Sequence, residues 1–140
     1  MKSISLFTIV IALFIVIASC QKDSNKDLTK RGMLTSHGWK LSSSEEFGIA
    51  IPGYQIKLEA CMMDDCLTFK PDGTFKTTTG SLKCDPNETD TTGSWSMSED
   101  GSNFQFTTST YYSLISIDTK SLVLKWEYSG WGWTYTYIPC

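Results

Sequence analysis

The stretch from Leu122 to Cys140 constrains the fold more than any other part of the chain. Leu122, Leu124, Trp126 and Tyr128 alternate with Val123, Lys125 and Glu127; Ser129-Gly130 follow; then Trp131, Trp133, Tyr135 and Tyr137 alternate with Gly132, Thr134 and Thr136. A period of two is the mark of a β-strand with one buried face. A two-residue Ser-Gly turn pairs Tyr128 with Trp131 and Trp126 with Trp133, which lays both apolar rows on the same face. A slip of one residue would divide them between two faces. Turn and alternation agree.

Three other turns submit to the same test. Asp100-Gly101 at a hairpin tip sets Met97 against Phe104 and Trp95 against Phe106. A loop through Pro71-Asp72-Gly73, with Gly73 left-handed, faces Phe69 with Phe75 and Leu67 with Thr77. Asp118 to Ser121 joins Ile117 to Leu122 and Ile115 to Leu124. Adding a first strand from Trp39 to Glu45 gives about eight antiparallel strands in chain order, with one short helix expected around Asp27 to Thr35. Ser and Thr make up 35 of the 140 residues, and with 5 Trp, 6 Tyr and 7 Phe they supply β-formers between turn signals. The expected fold is all-β, an up-and-down meander closing into a small barrel or folding into a sandwich.

The N-terminus carries an address. Lys2 precedes an almost unbroken apolar run from Ile4 to Ile17, too short for a membrane span of about 20 residues and the length of a secretory h-region. Ile17-Ala18-Ser19-Cys20 then resembles a bacterial lipobox. That pattern implies a lipoprotein signal peptide over residues 1–19, with Cys20 alkylated by a diacylglyceryl group and acylated after cleavage. Each acyl CH₂ contributes ~0.8 kcal/mol of burial, so several chains anchor a protein in effect permanently. Residues 20–26 read as a polar, lipid-anchored tether and 27–140 as the folded domain. Gln21 is not the Asp that resembles an inner-membrane retention signal, and Lys22-Asp23 resembles the charged signals of some surface lipoproteins. The expected location is the outer membrane of the cell envelope, on either face.

The order of features resembles the lipocalin-like domains of bacterial lipoproteins. Trp39-Lys40-Leu41 stands for a Trp-x-Leu first strand, and residues 64–75 (DDCLTFKPDGTF) for Asp-Asp leading into a strand and an Asp-Gly-Thr turn. Cys84, then Gly93-Ser94-Trp95, then Leu122-Val123-Leu124 complete the order over roughly residues 33–128. Gly38 directly precedes Trp39, one residue out of the Gly-x-Trp of true lipocalins. The resemblance implies a small lipocalin-like β-barrel.

With Cys20 lipidated, Cys61, Cys66, Cys84 and Cys140 form an even set in an oxidising compartment, open to three pairings. Extending the Phe69–Phe75 register sets Cys84 opposite Ala60, beside Cys61, and Cys66 opposite Thr78. Cys66 and Cys84 are then ~20 Å apart at ~3.3 Å per residue, beyond the reach of a disulfide. The expected bonds are Cys61–Cys84, with a slip or bulge near Gly80, and Cys66–Cys140 by elimination. Cys-x₄-Cys without a second pair is a poor metal site, and neither metal nor cofactor is expected.

Catalysis finds little support. His37, the one histidine, has no evident nucleophile partner and reads as a solvated loop residue. Glu45-Glu46 and Asp64-Asp65 could pair for glycoside cleavage but read more simply as exposed, turn-forming acids. Asp85 to Asp90 offers calcium-type oxygens without EF-hand spacing, and Asn87-Glu88-Thr89 is an incidental sequon. Twelve Lys+Arg against 15 Asp+Glu leave no basic footprint for nucleic acid. No enzyme is expected. The aromatics carry the functional promise: Trp126, Tyr128, Trp131, Trp133 and Tyr135, with Phe106, would either fill the barrel or line a pocket for a small apolar or amphipathic ligand. The alternative is a surface module that stacks glycan or docks an envelope protein.

Overall fold

Wherever a turn was set by its own residues, the expected hairpin forms. The computed structural model describes residues 29–48, 58–106 and 110–140. The expected leader at 1–19, the expected tether at 20–26 with Cys20, and the first two residues of the expected helix lie outside the described residues. Strands β2 (Cys66–Phe69) and β3 (Thr74–Thr78) pair Phe69 with Phe75, and Gly73 between them is left-handed at φ 85°. Strands β4 (Thr91–Met97) and β5 (Asn103–Phe106) pair Met97 with Phe104 and Trp95 with Phe106. Strands β7 (Leu122–Tyr128) and β8 (Trp131–Pro139) pair Trp126 with Trp133 across Ser129 and Gly130, both at positive φ as a tight hairpin turn requires.

Strand β6 (Tyr111–Ile117) departs from strict alternation. Ile117 meets Leu122 as expected, but the register then shifts, so Leu124 faces Leu114 and not Ile115. Ile115 is the extra residue of this bulge and is 56% exposed. Strand β1 (Gly38–Phe47) runs beyond its expected end at Glu45 and pairs with both β2 and β8, which closes the sheet into a barrel in chain order. It carries a bulge of its own at Ser42, between the pairs Leu41–Tyr137 and Ser43–Thr136.

The two ends of the barrel are built differently. Helix α1 (Lys30–Leu34), shorter than expected and capped by the Thr29 hydroxyl accepting from Gly32 N–H, closes one end. Leu34 is fully buried there, and its carbonyl accepts the Trp39 indole N–H at 2.9 Å. The turns at residues 70–73, 98–102 and 118–121 gather at this end, where Arg31 lies 4.5 Å above the Trp95 ring and Lys30 donates to the Gly101 carbonyl. Inside, Phe69 meets Trp95, Phe104 and Phe106 edge-on, with Leu67, Leu114, Leu122 and Leu124 completing the core. Their apolar area supplies most of the drive to fold.

The opposite end holds the long connections. Helix α2 (Ala60–Met63) leads into β2, and residues 79–90 link β3 to β4. Both expected disulfides form, Cys61–Cys84 and Cys66–Cys140, with Cα separations of 5.3 and 6.0 Å. The route to the first differs from the expected extended hairpin. Cys61 lies in a helix and Cys84 in a loop, because side chains satisfy the backbone there in place of a ladder. Asp65 accepts from Gly80 N–H, Asp64 from Leu82 N–H, and Glu88 from Cys84 N–H, all at 2.8–2.9 Å. Asp64 and Asp65 therefore hold this loop, and Asp85 accepts from Asn87 N–H within it. Gly80 is packed so closely that a Cβ would fall within the Asp64 carboxylate.

The Cys66–Cys140 bond crosses β1 at Gly38. A Cβ at Gly38 would collide with Cys66 Sγ, and Cys140 Sγ would be 3.2 Å away. Gly38 thus lets the bond lie flat across the strand that it clasps, while Cys140 N–H donates to the Gly38 carbonyl. This gives the glycine before Trp39 a physical reason.

Candidate functional site

Residues paired across antiparallel strands share a face, so the lining of the barrel can be followed from strand to strand. On β7 and β8 the inward row is Leu122–Tyr137, Leu124–Tyr135 and Trp126–Trp133, rising from the plugged end to the other, termed the open end because Trp126 and Trp131 are only half-buried there. Trp133 is buried, while Trp126 and Trp131 are half-buried. The three indoles form one cluster: Trp126 stacks on Trp133 at 5.2 Å, and Trp131 stands edge-on to both at 5.5 and 4.8 Å. Tyr128 pairs with Trp131 at the rim and is 63% exposed.

Below the indoles the lining becomes phenolic. Tyr135 meets Tyr112 edge-on at 6.2 Å, Tyr112 stacks on Phe106 at 5.1 Å, and Phe106 leads into the core through Phe69 at 5.8 Å. Burial raises the Tyr112 hydroxyl above its ordinary pKa. It raises that of Tyr137 further, with the neighbouring phenols Tyr112 and Tyr135 adding to the effect. Trp126, Trp131, Trp133, Tyr135 and Phe106 thus line one continuous wall, with Tyr128 on its rim.

Strand β1 adds two polar groups that alternation alone would misplace. Counted by twos from Trp39, the inward residues would be Leu41, Ser43 and Glu45. The bulge at Ser42 shifts the phase, so Ser44 pairs with Tyr135 and Glu46 with Trp133. Glu45 is left exposed outside. Neighbours on a strand face opposite ways, so Glu45 and Glu46 form no carboxylate dyad, and Glu46 is not the exposed acid expected. Ser44 Oγ and Glu46 Oε1 are buried without a hydrogen-bond partner among the described residues. Glu46, Ser44 and Tyr112 are the site residues that sequence reasoning left out. Tyr137 was already legible in the β8 alternation.

The other candidates resolve into structural roles. His37 lies in the bend before β1, as expected of a loop residue, but is half-buried rather than solvated: its ring packs 4.3 Å from Trp39, and Nε2 is buried without a partner among the described residues. Ser36 Oγ lies 2.7 Å from His37 Nδ1 but gives its own proton to the Met33 carbonyl. Ser36 Oγ is thus shared between the imidazole and a backbone carbonyl, and no carboxylate among the described residues orients His37 through Nε2, so the pair lacks the third member of a Ser–His device. Among the described residues one trio, Glu59, Cys61 and Cys84, lies close enough to share a metal ion. Two of its three donors are sulfurs bonded to each other, so it offers no thiolate.

An eight-stranded barrel plugged at one end and lined with aromatic rings toward the other defines the class of small-ligand-binding β-barrels. Within that class, the family model of the lipocalin-like domain matches residues 36–137, and the chain belongs to that family. No curated protein and no solved structure matches it. Lipocalin-like domains are generally binding proteins rather than enzymes.

Proposed function

We propose that the protein is a lipid-anchored binding protein of the cell envelope, taking a small amphipathic ligand at the open end of its barrel. The observation that carries the reading is the indole cluster of Trp126, Trp131 and Trp133, set beside buried polar atoms of Ser44 and Glu46. A barrel serving only its own packing would repeat the apolar lining of its plugged end, since a buried polar group without a partner costs about 1–3 kcal/mol. An amphipathic ligand would cover the rings with its apolar part and hydrogen-bond the polar atoms. Anchoring is supported by the lipobox at Ile17 to Cys20, and outer-membrane placement by Gln21 after the cysteine.

Binding is tested by titrating an environment-sensitive apolar dye while following tryptophan emission. A saturable dye signal with a matching shift in emission is expected, and the absence of both overturns the reading. Cys20→Ala should leave the barrel folded and release it from the membrane fraction. Membrane pelleting that survives an alkaline wash would overturn the anchoring.

A further inference from the structure

The open end carries a carboxylate that has no counter-charge among the described residues. Glu46 shares the inward face with Trp133 and, through Trp133, with Trp126. Among the described residues its buried Oε1 has no hydrogen-bond partner, and no lysine or arginine forms an ion pair with it. Lys125, next to Trp126 in sequence, lies on the other face, paired with Glu127 and 4.2 Å from the Phe47 ring centroid. An inward acid among indoles is costly to keep unless something positive meets it.

We propose that the site selects a ligand with a cationic head, a quaternary ammonium or a protonated amine. The cation would sit between the Glu46 carboxylate and the indole faces of Trp126 and Trp131, with the apolar part against Tyr135 and Phe106. This rests on the reading of the open end as a ligand site and names the chemistry that the site takes. Indole is the best of the aromatic side chains for a cation, and an opposing carboxylate supplies the formal charge. An anionic head at the same point would be repelled. A neutral polar head would gain a hydrogen bond to Glu46 without the charge.

The test uses three probes of equal tail length on the full chain, each below its micelle concentration: octyltrimethylammonium, octyl glucoside and octyl sulfate. Tryptophan emission reports binding. The cation is expected to bind about tenfold more tightly than the glucoside, with the sulfate weakest. Because the chain is acidic overall, Glu45→Gln serves as the control: it removes the same charge one residue away, on the outer face. The preference for the cation should survive Glu45→Gln and disappear in Glu46→Gln. Trp131→Leu, at a half-buried position, should weaken the cation more than the glucoside, which provides a second readout should Glu46→Gln fold poorly. Equal binding of cation and glucoside, or an equal loss in both glutamine variants, overturns the charge selection alone. Failure of all three probes overturns the binding reading with it.

Discussion

The plugged and open ends of this barrel are made from the same alternating strands and do opposite things with their aromatic residues. At the plugged end Trp39, Phe69, Trp95 and Phe104 are buried, and the polar atoms of Trp39 and Trp95 are satisfied by the Leu34 and Lys70 carbonyls, leaving His37 Nε2 beside Trp39 as a buried atom without a partner among the described residues. At the open end Trp126 and Trp131 remain half-buried, and Ser44 and Glu46 keep buried polar atoms unanswered among the described residues. The first arrangement is what stability selects. The second costs stability and is what a binding site requires.

Substitutions at the two ends should separate these roles. Phe69→Ala removes a ring with edge contacts to three others and should cost about 3–5 kcal/mol, read by chemical denaturation. A loss below about 1 kcal/mol would mean that the plugged end is not the core. Next in size is the covalent clasp. The Cys66–Cys140 bond joins residues 74 apart, and replacing both by serine should cost about 4 kcal/mol on the loop-entropy account. Gly38→Ala should give part of that loss in the oxidised protein and much less in the serine pair, since its clash is with the sulfurs. Equal losses in the two backgrounds would show that the crossing does not govern Gly38.

Trp131→Ala at the open end should lower stability by only about 1 kcal/mol while weakening dye binding severalfold. If it unfolds the barrel as Phe69→Ala does, the two ends are one core and the contrast fails. The smallest effects concern pH. The carboxyl of Asp100 is held down to about 2 by hydrogen bonds from Ser98 and Ser102, and those of Asp72 and Asp118 are lowered by bonds within their own turns. All three turns lie at the plugged end. A carboxyl lowered by folding adds stability above its unfolded value, 3.8, and loses it as the pH falls toward 2. The melting temperature should therefore drop between about pH 4 and 2, and Asp100→Asn should flatten that slope. In the barrel interior the sign is reversed. Tyr112 and Tyr137 are raised above 10, so stability should decline as the pH rises past 10, with phenolate absorbance appearing late. A titration of all six tyrosines with its midpoint near pH 10, without unfolding, would place both rings outside the lining.

Much of this was legible in the chain itself, where a turn and its flanking strands speak for one another. Asp72-Gly73, Asp100-Gly101 and Ser129-Gly130 each set a register that the adjoining apolar rows confirm, and those pairings form as read. The cysteine pairing followed from the same registers, although Cys61 and Cys84 meet by a helix and a loop. Hairpins are local, and a period of two survives without knowledge of anything distant.

The site was settled elsewhere. Ser42, Ser43 and Ser44 look alike in sequence, and nothing among them marks which one bulges. The choice is made where β1 must pair with β2 on one side and β8 on the other, strands far apart in the chain. Closing the ring imposes a stagger that one extra residue absorbs. That residue turns Glu45 outward and Glu46 inward beside Trp133. The alternating strands determined the barrel, and its closure decided which carboxylate faces the tryptophans.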